Sequence, residues 1–220
     1  MIERFLKREG LVIAIGTMMI YAAVYFFERG YCSALNIPLD YIEISVPTVA
    51  NDLLYLYLFI FPVAITSMAI MAKAEDKNNK GLYALAPFSC WLVYSVVLFF
   101  YVEKTLQSAF MCWFLGGLVF CLVRYKDDFK EGDSPLRAQT ATVILISMAM
   151  FLFSFTFTII GRSHAEAGNF EVYKNNDNKY ALLKVYGENV FMQEIKGGKR
   201  VSEITYFNAQ NMTGMIITGK

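Results

Sequence analysis

Few side chains in this sequence have the types and spacing that catalysis requires. The single histidine, His164, has no accompanying cluster of cysteines or carboxylates, so no metal site is predicted. The segment Lys196–Lys199 contains two glycines but lacks the phosphate-binding pattern G-x-x-x-x-G-K-[ST]. The patterns G-x-S-x-G, HExxH and CxxC do not occur either. We therefore expect no catalytic residue, cofactor or metal, and we interpret His164 as a solvated linker residue.

Two groups of polar residues leave more than one interpretation open. Asn51 and Asp52 could form an ion or lipid-headgroup site, although the interpretation as a helix cap is favoured because both residue types suit that position. A second, acidic group could hold a divalent ion, but its spacing is not that of an EF-hand and basic residues are interleaved with it. A loop that docks a partner protein is the favoured interpretation of this group, which comprises Asp127, Asp128, Glu131 and Asp133.

Cysteine usage adds little chemistry. Cys90, Cys112 and Cys121 lie in apolar segments, where cysteine usually acts as a small hydrophobic residue. Only Cys32 is expected to contact water, and no disulfide framework can be derived from these positions.

The elements that carry these residues are strongly apolar. Hydrophobic residues make up 56% of the 220 and charged residues only 18%, against about 25% in soluble domains. Five windows of 18 to 24 residues contain no charge, and each is close to the roughly 20 residues that a helix needs to cross a bilayer. This pattern excludes a water-soluble or disordered chain. It predicts an α-helical multi-span membrane protein with membrane-spanning helices at about 11–27, 53–72, 82–102, 107–123 and 140–160.

Basic residues predict the orientation of these spans. With the N-terminus in the cytoplasm, the inner segments contain ten lysines and arginines, whereas the two outer loops contain only Arg29 and Lys104. Five spans then place the C-terminal segment on the outer side. We expect a multi-pass protein of the bacterial inner membrane with a periplasmic C-terminal domain.

The C-terminal segment differs in character from the helices. This change in composition divides the chain into a helical domain at 1–161 and a small β-rich domain at 162–220. Turn residues separate five short apolar segments, which predict a compact sandwich or barrel. The predicted strands are Phe170–Lys174, Tyr180–Tyr186, Val190–Ile195, Val201–Phe207 and Met215–Thr218. The first outer loop contains Asn36–Ile44, which could form a short interfacial helix or a plain loop.

Small and hydroxyl side chains recur at helical spacing in two of the spans. In the fifth span, a seven-residue repeat places four of them on one stripe, which favours helix packing over a pore lining. The stripe comprises Thr140, Ser147, Ser154 and Gly161. In the fourth span, the pairs Cys112 with Gly116 and Gly117 with Cys121 predict a helix–helix interface. We find no charge inside any predicted span, which argues against a transporter or a proton relay.

Two segments carry a resemblance to known proteins. They are Gly30–Ser45 (GYCSALNIPLDYIEIS) and Tyr180–Ile195 (YALLKVYGENVFMQEI). Together they resemble small bacterial inner-membrane proteins with a short β-rich tail. Proteins of this build serve as membrane subunits of anti-phage systems, such as the Kiwa system or the channel-type effectors of nucleotide-signalling systems. The resemblance implies a role in antiviral defence and assigns no functional residue.

Three functions remain open. The favoured one is a non-catalytic membrane subunit that self-associates and acts as a sensor or scaffold for a cytosolic protein partner. The main alternative is a small homo-oligomeric ion channel or pore-forming effector. The third is an enzyme or assembly factor that acts on lipid. Its candidate reactive groups on the outer side are only Cys32 and His164. A net charge of +1 gives no reason to expect nucleic-acid binding.

Overall fold

The computed structural model describes residues 9–76, 80–127, 135–168, 170–175, 178–212 and 215–219. Within them the chain forms five α-helices followed by a sheet. Each helix covers one of the segments that the charge-free windows predict. The helices are α1 (Glu9–Ala34), α2 (Val46–Asp76), α3 (Lys80–Tyr101), α4 (Leu106–Asp127) and α5 (Pro135–Glu166).

Within the described residues, two stretches of helix are long and apolar enough to cross a membrane. They are Val46–Ile70 in α2 and Thr140–Glu166 in α5, whereas Leu85–Tyr101 and Leu106–Leu122 are shorter apolar stretches. Large apolar side chains on these helices face outward, including Phe100, Leu106 and Phe110. Exposed apolar surface on this scale is typical of a surface that contacts lipid or another protein.

Helix α1 extends seven residues beyond its predicted end. It closes with a Schellman motif, in which the N–H of Ile37 donates to the carbonyl of Cys32 at 2.9 Å. Asn36 takes the left-handed conformation at φ 58°, as this motif requires. The chain then makes a single 3₁₀ turn at Leu39–Tyr41, so Asn36–Ile44 is a loop with one helical turn, closer to the second of the two alternatives.

Helix α2 begins seven residues before its predicted start. Its first turn is capped by Ser45, whose hydroxyl oxygen accepts from the N–H of Thr48 at 3.3 Å. The cap interpretation of Asn51 and Asp52 is therefore wrong, since both lie within the helix. The extension of α1 and α2 also brings Glu28 and Asp52 into helical interiors, whereas the sequence placed them just outside the spans.

Helices α1 and α5 approach each other closely at two glycines. A Cβ atom on Gly30 would lie 1.9 Å from the carbonyl oxygen of Thr158, and one on Gly161 would lie 1.9 Å from that of Phe27. No side chain fits at either distance, so the two backbones are in direct contact there. This contact fixes the end of α1 beside the end of α5, from which the sheet follows.

The C-terminal strands form a single antiparallel sheet in the order β4-β3-β2-β1-β5. Each strand overlaps one that the sequence predicts, but in the described residues they form one open sheet. The expectation of a sandwich or barrel is therefore wrong, because the end of α1 and the turn after it pack on this sheet where a second sheet would lie. The strands are β1 (Val172–Asn175), β2 (Asn178–Tyr186), β3 (Asn189–Lys196), β4 (Lys199–Asn208) and β5 (Ile216–Gly219).

The sheet and the helices share one of the two apolar cores. Leu183, Tyr186 and Phe191 of the sheet pack with Tyr31 of α1 and with Leu35, the residue that follows this helix. Strict alternation along β2 would place Leu183 and Tyr186 on opposite faces. The register of β2 against β3 shifts between Leu182 and Lys184, and this bulge allows both side chains to face the helices.

Candidate functional site

The candidate site begins with Glu28, a carboxylate that is 0% exposed near the end of α1. The Lys184 ammonium of β2 forms an ion pair with Oε1 of this carboxylate. The hydroxyl of Tyr186 donates to Oε2. Both carboxylate oxygens therefore have a donor from the sheet, across more than 150 residues of sequence.

Further contacts surround this ion pair. The hydroxyl of Tyr31 donates to the Leu183 carbonyl at 2.8 Å, and the Tyr186 hydroxyl lies 3.0 Å from the Cys32 sulfur. The Lys184 ammonium also lies over the Tyr31 ring, 4.9 Å from its centroid. Such an arrangement adds a cation–π attraction to the ion pair.

Asp52 of α2 brings a second carboxylate to the same place. It is 1% exposed and interacts directly with Glu28. Its Oδ1 accepts a long hydrogen bond of 3.4 Å from the Asn51 side chain, whereas its Oδ2 is buried without a partner. We call Glu28, Asp52, Lys184 and Tyr186 the junction, because they join α1, α2 and β2.

His164 lies beside the junction, contrary to its interpretation as a solvated linker residue. It is part of α5 and is half-buried among aromatic rings. Its ring centroid lies 4.3 Å from that of Tyr55 and 5.8 Å from that of Phe27. The length of α5 explains the error, since the helix continues through Glu166 and keeps His164 against α1 and α2.

Cys32 is also buried, at 0% exposure, so the expectation that it contacts water is wrong. Burial raises the pKa of the Cys32 thiol to about 11, despite the opposing effect of its hydrogen bond with Tyr186. Burial and the neighbouring Glu28 carboxylate raise the pKa of the Tyr31 and Tyr186 hydroxyls. All three groups therefore stay protonated at neutral pH and act as neutral hydrogen-bonding groups.

The buried ion pair between Glu28 and Lys184 stabilises the contact between α1 and the sheet. Removing one partner of a buried ion pair costs about 3–5 kcal/mol, because the other charge is left without compensation. Glu28 satisfies this condition, since it is fully buried and Lys184 is only 17% exposed. The junction therefore resists separation of the sheet from α1.

The predicted stripe on α5 spans several environments. Thr140 and Ser147 are exposed, and the Ser154 hydroxyl donates to the Phe151 carbonyl at 3.1 Å. Gly161 is buried against α1. The stripe thus runs from an outward surface into the contact with α1, and the junction includes none of these residues.

The other predicted groups also lie away from the junction. Cys112 is buried, and a Cβ on Gly116 would meet Ser95 of α3 at 2.0 Å, whereas Gly117 has open space and Cys121 is exposed. One pair of α4 therefore packs on α3 and the other does not. Asp127 ends α4, while the other acidic residues of the predicted docking loop, Asp128, Glu131 and Asp133, lie outside the described residues.

Sequence reasoning missed the junction because its two acidic residues coincide with the limits of charge-free windows. In the hydropathy pattern, Glu28 and Asp52 mark the boundaries of the first and second predicted spans. A usable signal existed, since both acids lie at the same predicted outer end of neighbouring helices. Lys184 and Tyr186, two residues apart on one strand, supply the matching donors.

The fold and the junction define a helical protein whose C-terminal sheet is tied to its first helix by a buried ion pair. Among the described residues, no group of three histidine, cysteine or carboxylate side chains could hold a metal ion. No family model, curated protein or solved structure matches the chain. The features of this chain that indicate a function are therefore the junction and the exposed apolar surfaces of the helices.

Proposed function

We propose that this chain is a non-catalytic integral membrane subunit that acts as a sensor or scaffold and couples the membrane to a partner protein. In this proposal all five helices cross the inner membrane of a bacterium, the N-terminus is cytoplasmic and the sheet is periplasmic. Support comes from the two apolar stretches of spanning length and from the outward-facing apolar side chains of α3 and α4.

One observation carries the coupling function. The Glu28 carboxylate near the end of α1 accepts from both Lys184 and Tyr186 of β2, and the carboxylate is fully buried. A force or ligand that moves the sheet therefore acts on α1 directly. Because α1 contacts α5 through Gly30 and Gly161, the movement passes on to a helix that begins at Pro135, two residues after the last acidic residue of the predicted docking loop.

Self-association is part of the proposal. The outward faces of α2, α3 and α4 carry large apolar side chains that a second copy or lipid would cover, among them Leu54, Phe100 and Trp113. The resemblance to membrane subunits of anti-phage systems suggests the setting, namely bacterial cells challenged with phage.

The test compares two lysines of the same strand. Lys184→Met removes the partner of Glu28, whereas Lys179→Met changes an exposed lysine of β2 and serves as the matched control. Affinity purification from cells should recover several-fold less cytosolic partner with Lys184→Met than with the wild type or with Lys179→Met, at equal membrane insertion. Equal partner recovery with all three proteins contradicts the coupling.

A homo-oligomeric ion channel is the alternative, and one feature favours it. The first half of the α5 stripe is outward, with Ser147 exposed beside Val143 at 63% and Met150 at 69% exposure. In an oligomer this face could line a weakly polar pore. Ser147→Leu should then abolish ion flux into liposomes, and Thr17→Leu, an exposed hydroxyl residue of α1, should not. Unchanged flux with Ser147→Leu excludes this face as the pore lining.

A further inference from the structure

The junction contains one carboxylate more than its donors satisfy. Glu28 takes both donors that the sheet supplies, whereas Asp52 Oδ2 is buried without any partner. A buried ionised oxygen without a donor costs several kcal/mol in a folded protein. Asp52 nevertheless contacts Glu28, another acid, rather than a base.

If both Glu28 and Asp52 are ionised, the two carboxylates and the Lys184 ammonium together carry one excess negative charge. Among the described residues, Lys184 is the only ammonium group in contact with the pair, and its charge balances Glu28 alone. The Arg200 guanidinium of β4 acts weakly on Tyr31 and stacks on the Phe170 ring at 4.6 Å. The other titratable groups that interact with the pair are Tyr31 and Cys32 of α1, His164 of α5 and Tyr186 of β2, and the ring of Tyr55 of α2 packs on His164.

We propose that Glu28 and Asp52 together form a binding site for a single proton, shared between the two carboxyl groups. A proton provides the donor that the Asp52 carboxyl lacks and cancels the excess charge in one step. A metal ion suits the site less well, because the described residues provide no third ligand of the required type. This inference rests on the proposed coupling function only for its consequence, which is control of the sheet by pH.

The shared proton determines how docking of the sheet on α1 depends on pH. With the sheet docked, Asp52 holds the shared proton, whereas an Asp52 carboxyl that release of the sheet exposes to water is ionised at neutral pH. The docked state therefore binds one more proton than the released state. Docking weakens as pH rises, by about tenfold per pH unit until the docked pair itself ionises. Alkaline conditions thus favour release of the sheet from α1.

Infrared spectroscopy of the purified full chain in lipid nanodiscs tests the site directly. We expect the C=O stretch of a protonated carboxyl at neutral pH in the wild type, and its loss in Asp52→Asn. Asp40→Asn, which changes an exposed acid of the 3₁₀ turn, should retain it. If Asp52→Asn folds poorly, carboxyl-¹³C labelling of aspartate or glutamate in the wild type assigns the band through its isotope shift.

A thermal series provides the second readout. The unfolding midpoint of the wild type should fall from slightly acidic to alkaline pH more steeply than that of Asp52→Asn, whose amide supplies a permanent donor. The absence of a protonated-carboxyl band overturns the proposal, as does a band that neither label shifts. Stabilisation of the wild type by sodium chloride but not by choline chloride, absent in Asp52→Asn, also overturns it in favour of a sodium site.

The outcomes separate this site from the coupling function. A band that Asp52→Asn removes, together with unchanged partner recovery in Lys184→Met, supports the proton site and contradicts the coupling. Reduced partner recovery in Lys184→Met without any such band supports the coupling and overturns the proton site.

Discussion

At the scale of single residues, Lys184 has the largest assigned effect. It is the only ammonium group on Glu28 in the described residues, and Lys184→Met leaves a fully buried carboxylate without its counter-charge. We expect the free energy of unfolding to fall by about 3–5 kcal/mol. Chemical denaturation of the full chain in detergent measures this loss. Lys179→Met should have little effect, and an equal loss in both variants contradicts the role of Lys184.

Cys32 provides a natural reporter for the junction. It is buried and forms a hydrogen bond with Tyr186. Because burial raises the pKa of its thiol to about 11, the reactive thiolate is scarce at neutral pH. Alkylation should be slow in the wild type and at least tenfold faster in Lys184→Met, where the sheet loosens. Mass spectrometry of the alkylated peptides measures both rates. Cys90 lies buried in α3, away from the junction, and should remain protected throughout. Equal Cys32 rates would show that Lys184 does not hold the sheet closed.

The environment of some of these residues can be predicted from the sequence, whereas that of others cannot. The lack of catalytic motifs and the apolar setting of Cys90 and Cys112 can be read from the chain directly. The burial of Glu28, Asp52 and Cys32 cannot, because each lies at the end of an apolar segment. Whether such a residue contacts water depends on what packs over it, and here that is a strand more than 100 residues away.

At the scale of secondary-structure elements, the contact between α1 and α5 depends on two glycines. Gly161→Ala places a methyl group 1.9 Å from the Phe27 carbonyl, so the helices must separate. We expect a loss of about 1–3 kcal/mol in the free energy of unfolding. Gly16→Ala in α1 meets nothing within 4 Å and should be neutral or slightly stabilising, because alanine favours helices. Thermal unfolding of both variants decides the matter, and equal midpoints contradict the close contact.

Helix and strand positions follow well from the sequence, and their limits follow less well. Charge-free windows place all five helices, and alternation with turn residues places all five strands, because both signals are local. The extra turns at the end of α1 and at the start of α2 carry charged residues, so hydropathy alone makes both helices too short. The bulge at Leu183 has no local signal, and it determines which face of β2 meets the helices.

At the scale of the whole molecule, the sheet depends on the helices for its core. Its buried residues Leu183, Tyr186 and Phe191 pack against Tyr31, Leu35 and Ile37, which come from α1 and the following turn. A segment of this size buries too little apolar surface to be stable alone. Residues 167–220 expressed by themselves should therefore lack a cooperative thermal transition, as measured by circular dichroism. A sharp transition would show that the sheet is an independent domain.

The central claim is that Glu28 and Lys184 join the sheet to the helices, and a double-mutant cycle tests it most directly. Unfolding free energies would be measured for the wild type, Glu28→Gln, Lys184→Met and the double variant in one detergent. We predict strong non-additivity, with a coupling free energy of about 1–3 kcal/mol, because removal of both charges leaves neither one uncompensated. Additive losses would contradict the claim and show that the buried ion pair does not hold the two parts together.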